Sequence, residues 1–199
     1  MKKISVALLI SAFSITAFSA DPFPEPFGLQ WGMSEAQLKK SGFANVGPSG
    51  RFNVMTSVST PKAWSKGDSY MAVTYKKKLV KVVAHSKSFK SDIYGSEGKS
   101  LYNQVKSLLV KKYGEPDTHY EHIGMKLYDE SDEFYQCLKY SGCGSYISLF
   151  KNDGGFISVE LEGTGRGQGY LSVGYESPEF YAAKNTIEQD NSTSDSDAF

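Results

Sequence analysis

An α+β fold of two helix-plus-antiparallel-strands units, able to join into one continuous sheet with helices on one face, follows from three observations in this 199-residue sequence. Leu38-Lys39-Lys40-Ser41-Gly42 and Val110-Lys111-Lys112-Tyr113-Gly114 both end helices, with basic residues in the last turn and a glycine beyond. The two glycines lie 72 residues apart. Each signal is followed by several short runs of strand-like composition separated by turn residues.

Lys2 and Lys3 precede an apolar stretch from Ile4 to Phe18, and Ala17 and Ser19 are small residues at cleavage-site spacing. Residues 1–20 therefore read as a secretory signal peptide. The run is too short and too often interrupted by serine and threonine for a membrane span, which needs roughly 20 apolar residues. Export places the only two cysteines, Cys137 and Cys143, in an oxidising space where a disulfide persists. The pair encloses five residues, which is neither the spacing of a redox dithiol nor half of a paired zinc motif.

The first unit, 21–99, opens with the proline-spaced leader Asp21 to Phe27, which is extended because proline restricts both itself and its predecessor. Ser34 is an N-cap, Gln37 completes a capping box, and Met33 can staple to Leu38. The helix that follows stops near Gly42. Trp31 is a core anchor. Strands are expected at Arg51–Thr60, Ser69–Tyr75 and Leu79–Ser86, with Lys76-Lys77-Lys78 at a hairpin turn.

The second unit, 100–181, is led by the stronger helix between Gly95 and Gly114. Leu101, Val105, Leu108 and Leu109 make its apolar stripe. Strands are expected at Thr118–Leu127, Phe134–Tyr140, Ser145–Lys151, Gly155–Glu162 and Tyr170–Glu176. Asn152 to Gly155 forms a tight turn, and Gly163 to Gly169 a mobile loop. Residues 182–199 carry one lysine against four acids and no apolar pattern, which reads as a disordered acidic tail.

Charge divides the chain. From Lys39 to Lys112 there are fifteen basic residues and three acids, whereas from Tyr113 to Tyr181 there are four basic residues and twelve acids. The bland consequence is that the two units attract each other. The sharper one is that the basic unit steers toward an anionic partner. The lysines at 76, 77 and 78 with Arg166 form the candidate binding surface, for a protein or an anionic envelope polymer.

Several chemistries are disfavoured. Gly98-Lys99-Ser100 ends like a phosphate loop, but Ile93 stands where the first glycine is required. Gln168 breaks the dinucleotide pattern in the glycine run. No zinc-protease or serine-hydrolase motif occurs. His119 and His122, three apart in a strand, face opposite sides, so no metal centre is expected, nor any cofactor or nucleic-acid partner. Asp129 to Glu133 reads as a solvated acidic loop rather than a glycosidase pair.

The Trp31-Gly32-Met33-Ser34 opening, with a glycine closing each helix, resembles the small envelope proteins related to the outer-membrane assembly lipoprotein BamE and the tandem β-lactamase inhibitory proteins. The likeness covers the helix regions. It implies a non-catalytic module that binds proteins through its sheet or loops, without the lipid anchor, since no cysteine stands at the cleavage site. The expectation is a soluble periplasmic or secreted protein, of inhibitor, immunity or assembly-accessory type. The alternative is a cell-wall-acting hydrolase using His85, His119 or His122 as base.

Overall fold

The computed structural model describes residues 23–124 and 127–198, so the expected signal peptide lies outside the described residues. Helix α1 (Glu35–Lys40) is followed by β1 (Ala44–Ser49), β2 (Phe52–Ser57), β3 (Gly67–Tyr75) and β4 (Lys78–Ser86). Helix α2 (Ser96–Tyr113) is followed by β5 (Thr118–His122), α3 (Phe134–Lys139), β6 (Ser145–Asn152), β7 (Gly155–Gly165) and β8 (Gln168–Glu176), and α4 (Pro178–Ala198) comes last.

All eight strands form a single open antiparallel sheet in the order β1-β2-β3-β4-β8-β7-β6-β5. Each set of four is a meander of neighbours, and the sets meet where β4 pairs β8, with Lys81 opposite Glu176 and Ala84 opposite Val173. Past the end of β8, the Gly32-Met33-Ser34 segment pairs with Leu79 and Lys78. That backbone pairing and the capping box of Ser34 and Gln37 together fix where α1 begins.

One face of the sheet carries the core. Leu38 of α1 packs with Met55, Tyr70, Ala72, Leu79, Val82 and Ala84. Tyr102, Val105 and Leu109 of α2 and Phe134 and Tyr135 of α3 pack with Phe150, Ile157, Val159, Leu161, Leu171 and Val173. Trp31 touches both clusters while its indole N–H donates to the Pro24 carbonyl at 3.1 Å. Among the described residues, no helix is long and apolar enough to cross a membrane.

Five expectations need correction. An edge strand, β1, was hidden by Gly47 and Pro48, residues that break interior strands; at an edge proline is tolerated, and a bulge at Val46 shifts the register so that Gly47 pairs with Val54. Phe134 to Lys139 is helical, because Phe134, Tyr135 and Cys137 share one buried side. The α2 stripe is Gly98, Tyr102, Val105 and Leu109, with Leu108 59% exposed; the helix is rotated so that the Tyr102 hydroxyl reaches Ser148 Oγ at 2.7 Å and Glu121 at 3.1 Å. The glycine run at 163–169 is mostly strand, turning only at Arg166 and Gly167. The region beyond 181 continues α4, whose first turns bury Phe180 and Ala183.

Cys137 and Cys143 are disulfide-bonded. The bridge joins the end of α3 to the entry of β6, and Cys137 Sγ accepts from the Gly124 amide at 3.2 Å. Closing so short a ring constrains the unfolded chain by about 2 kcal/mol. A Cys137→Ser, Cys143→Ser variant is therefore expected to melt about 4–8 °C lower, the same drop that reductant alone causes in the wild type; a melting point insensitive to both would contradict this.

Candidate functional site

Side chains alternate across a strand, and the register carries that alternation across the whole sheet. Since Tyr70, Ala72, Val82, Ala84, Ile157 and Val159 point into the core, their neighbours point the other way. One row on that outer face runs Ser69, His85, Ser172, Glu160, Ile147 and Tyr120. The next runs Thr56, Met71, Val83, Gly174, Ser158, Leu149 and Thr118. A third holds Val54, Val73, Lys81, Glu176, Phe156 and Lys151.

The middle of this face is a groove of about 500 Å³ lined from β3, β4, β8, β7 and β6. Gly174 makes its floor, because a Cβ there would meet Ser158 Oγ at 2.7 Å. Phe180 and Tyr181, at the start of α4, close one end: Phe180 lies on Phe52, with ring centroids 5.3 Å apart, and Tyr181 on Phe156 at 5.0 Å. An antiparallel sheet with one solvated face normally shows polar residues there. Here Met71, Val83, Ile147, Leu149 and Phe156 interrupt the polar pattern.

The charged groups of the groove fall into two kinds. Lys81 and Glu176 form an ion pair at 2.6 Å across the seam, and the Tyr181 hydroxyl donates to the same carboxylate. Glu160 and Glu162, on one strand and one face, make no ion pair or side-chain hydrogen bond among the described residues. Burial, then the neighbouring Glu162 charge, push the Glu160 carboxyl up to about 7, against an opposing pull from Lys81. Burial raises Glu162 as well. Burial also holds His85 below the ordinary imidazole range, and Tyr170 above the ordinary phenol range, with the two glutamates adding to that.

His85 touches Ser69 Oγ at 3.5 Å through Nδ1 and stacks edge-on with Tyr170 at 5.2 Å. It is two strands from Glu160, about 10 Å at the usual strand spacing, and no carboxylate lies at hydrogen-bonding distance from its ring among the described residues. His119 and His122 are exposed on the edge strand β5, on opposite faces. The three histidines are not brought together.

The lysine hairpin is where the sequence places it, a two-residue turn with Lys76 at φ 48° and Lys77 at φ 63°. Lys76 and Lys78 border a shallow hollow with Trp31, Tyr75 and Glu179. Arg166 stands on the β7–β8 turn, paired with Asp132. Because β4 and β8 are antiparallel, that turn lies at the far end of the sheet from the lysines, about 25 Å away along the nine-residue β4. The four residues do not form one surface.

Glu160 and Glu162 escaped the sequence reading, although the signal was present. In Ile157-Ser158-Val159-Glu160-Leu161-Glu162 strict alternation puts both glutamates opposite the core residues. Comparison with protein-family models, with curated proteins and with solved structures gave no match to this chain.

Proposed function

We propose that this is a non-catalytic binding module of the cell envelope, exported to the periplasm or secreted, which engages a protein partner across the outer face of its sheet. The observation that carries the reading is the groove itself. Five strands present a continuous depression in which aliphatic and aromatic side chains alternate with polar ones, the mixture typical of protein recognition surfaces rather than of a solvated sheet face. Rigid strands hold these side chains, so little order is lost on binding. The disulfide suits an oxidising compartment. The separation of the lysine hairpin from Arg166 moves the centre of the proposed surface away from those residues and onto the sheet.

Filling the groove tests this. Ser158→Trp places a large ring over Gly174 on the solvent side, and its thermal melt establishes that the variant folds. Wild type is expected to retain a stoichiometric protein from envelope extract, and Ser158→Trp to lose it. A Lys76→Glu, Lys77→Glu, Lys78→Glu variant is expected to keep it. Equal recovery by wild type and Ser158→Trp would dismiss the outer face as the binding surface.

A further inference from the structure

The groove carries two carboxylates for which the described residues supply no counter-ion. Lys81 lowers the Glu160 pKa, but its ammonium is held by Glu176 at 2.6 Å and lies over the Phe180 ring at 5.2 Å from the centroid. Glu160 and Glu162 are two residues apart on β7, so their side chains leave the sheet roughly 7 Å apart on the same face. That gap fits one guanidinium or ammonium group between them.

We propose, resting on the reading of the outer face as the binding surface, that the groove receives a lysine- or arginine-bearing segment of a partner protein, its cation seated between Glu160 and Glu162. The apolar side chains on either side, Ile147 and Leu149 from β6 and Val83 from β4, pack the methylene stem of such a residue. The charged head then reaches the carboxylates. Electrostatic complementarity selects the occupant: a neutral glycan leaves both carboxylates unpaired, and an anionic polymer is repelled.

Binding is coupled to protons. The titratable and charged groups facing Glu160 are Glu162 on its own strand, Lys81 and His85 from β4, Tyr170 and Glu176 from β8, Lys151 from β6, Tyr120 and His122 from β5 and Tyr181 from α4. Lys81 lowers the Glu160 pKa, while Glu162 raises it. The cation binds the ionised form. With a carboxyl titrating at about 7, the binding-competent fraction falls about tenfold between pH 8 and pH 6, and affinity falls with it. The sign is opposite to that of a site built on histidine cations.

The test uses the whole mature chain and the peptide acetyl-Lys-Ala-Lys-Ala-Lys-Ala-amide, followed by side-chain carboxyl and backbone NMR. Shifts are expected on β4, β6, β7 and β8, with the Glu160 titration moved to lower pH by the peptide and the dissociation constant about tenfold weaker at pH 6 than at pH 8. The glutamine-for-lysine peptide should not bind. A Glu160→Gln, Glu162→Gln variant, shown folded by its amide spectrum, should lose the shifts, whereas Asp129→Asn, Glu130→Gln should keep them. Undiminished binding by the Glu160, Glu162 variant, pH-independent binding, preference for a chitin oligosaccharide, or self-association of the chain through this face would each overturn the inference. If the envelope partner is lost on Ser158→Trp but kept by Glu160→Gln, Glu162→Gln, the outer-face reading stands and the cation inference fails alone.

Discussion

Gly163→Ala is expected to destabilise the protein by about 3 kcal/mol, lowering its melting point by about 6–12 °C. A Cβ at 163 would lie 1.9 Å from the Tyr135 carbonyl oxygen, 2.8 Å from the Lys139 amide nitrogen and 2.9 Å from the Tyr135 carbonyl carbon. All three are backbone atoms of α3, so no rotamer change relieves the clash. The helix must lift off β7, and with it Phe134 and Tyr135, both almost wholly buried. Gly165→Ala is the internal control, since its nearest neighbour is the end of the Gln168 side chain at 3.8 Å. That variant should change stability by less than about 1 kcal/mol. Equal melting points for the two alanine variants would mean that α3 does not sit directly on the strand.

The second large effect is expected at Asp92. Its side chain is only 7% exposed, and Oδ2 accepts from the Gly98 amide at 2.9 Å and from the Tyr135 hydroxyl at 2.8 Å. The N-cap of α2 is Gly95, which has no side chain to cap with. Asp92 takes over that task from three residues upstream, and its negative charge complements the helix N-terminus. The same contact holds the Tyr135 phenol in its neutral form, burial being the first cause and Asp92 the second. Asp92→Ala leaves two buried donors without an acceptor, each costing about 1–3 kcal/mol, for a total near 3 kcal/mol. Asp92→Asn keeps one acceptor oxygen and should cost about half as much. Tyr135→Phe should fall between wild type and Asp92→Ala. Chemical denaturation of the set checks the order, and an alanine variant as stable as the asparagine one would remove Asp92 as the clasp between α2 and α3.

Where the chain states its structure locally, the sequence could be read. Ser34 and Gln37 form the expected capping box, the lysine turn and the Asn152–Gly155 turn connect the expected hairpins, and the two cysteines pair. The misreadings share a cause, since each depended on a distant partner. Phe134-Tyr135-Gln136-Cys137 has no period that separates helix from strand over so short a span; Gly163 and Gly169, far later in the chain, decide it by leaving room for a helix. The α4 segment looks unstructured until Phe180 finds Phe52, and Arg51 pairs with Asp190 further along. The groove was half legible. Alternation on β7 places Glu160 and Glu162 on one face, but only the pairing of β4 with β8 sets them in one groove with Lys81 and His85, and no local pattern encodes that pairing.

That pairing also orders the events of folding. Every other strand contact in the sheet joins neighbours within one meander, so each four-stranded half closes over far shorter stretches of chain, the longest being the connection through α3 between β5 and β6. The β4–β8 seam spans about ninety residues of chain and can form only when the last strand has been made. Until then the first half presents β4 as a bare edge with a hydrophobic underside, open to pairing with any other extended chain. The interval between formation of β4 and docking of β8 is therefore the period of greatest aggregation risk, and the seam, once zipped, ends it.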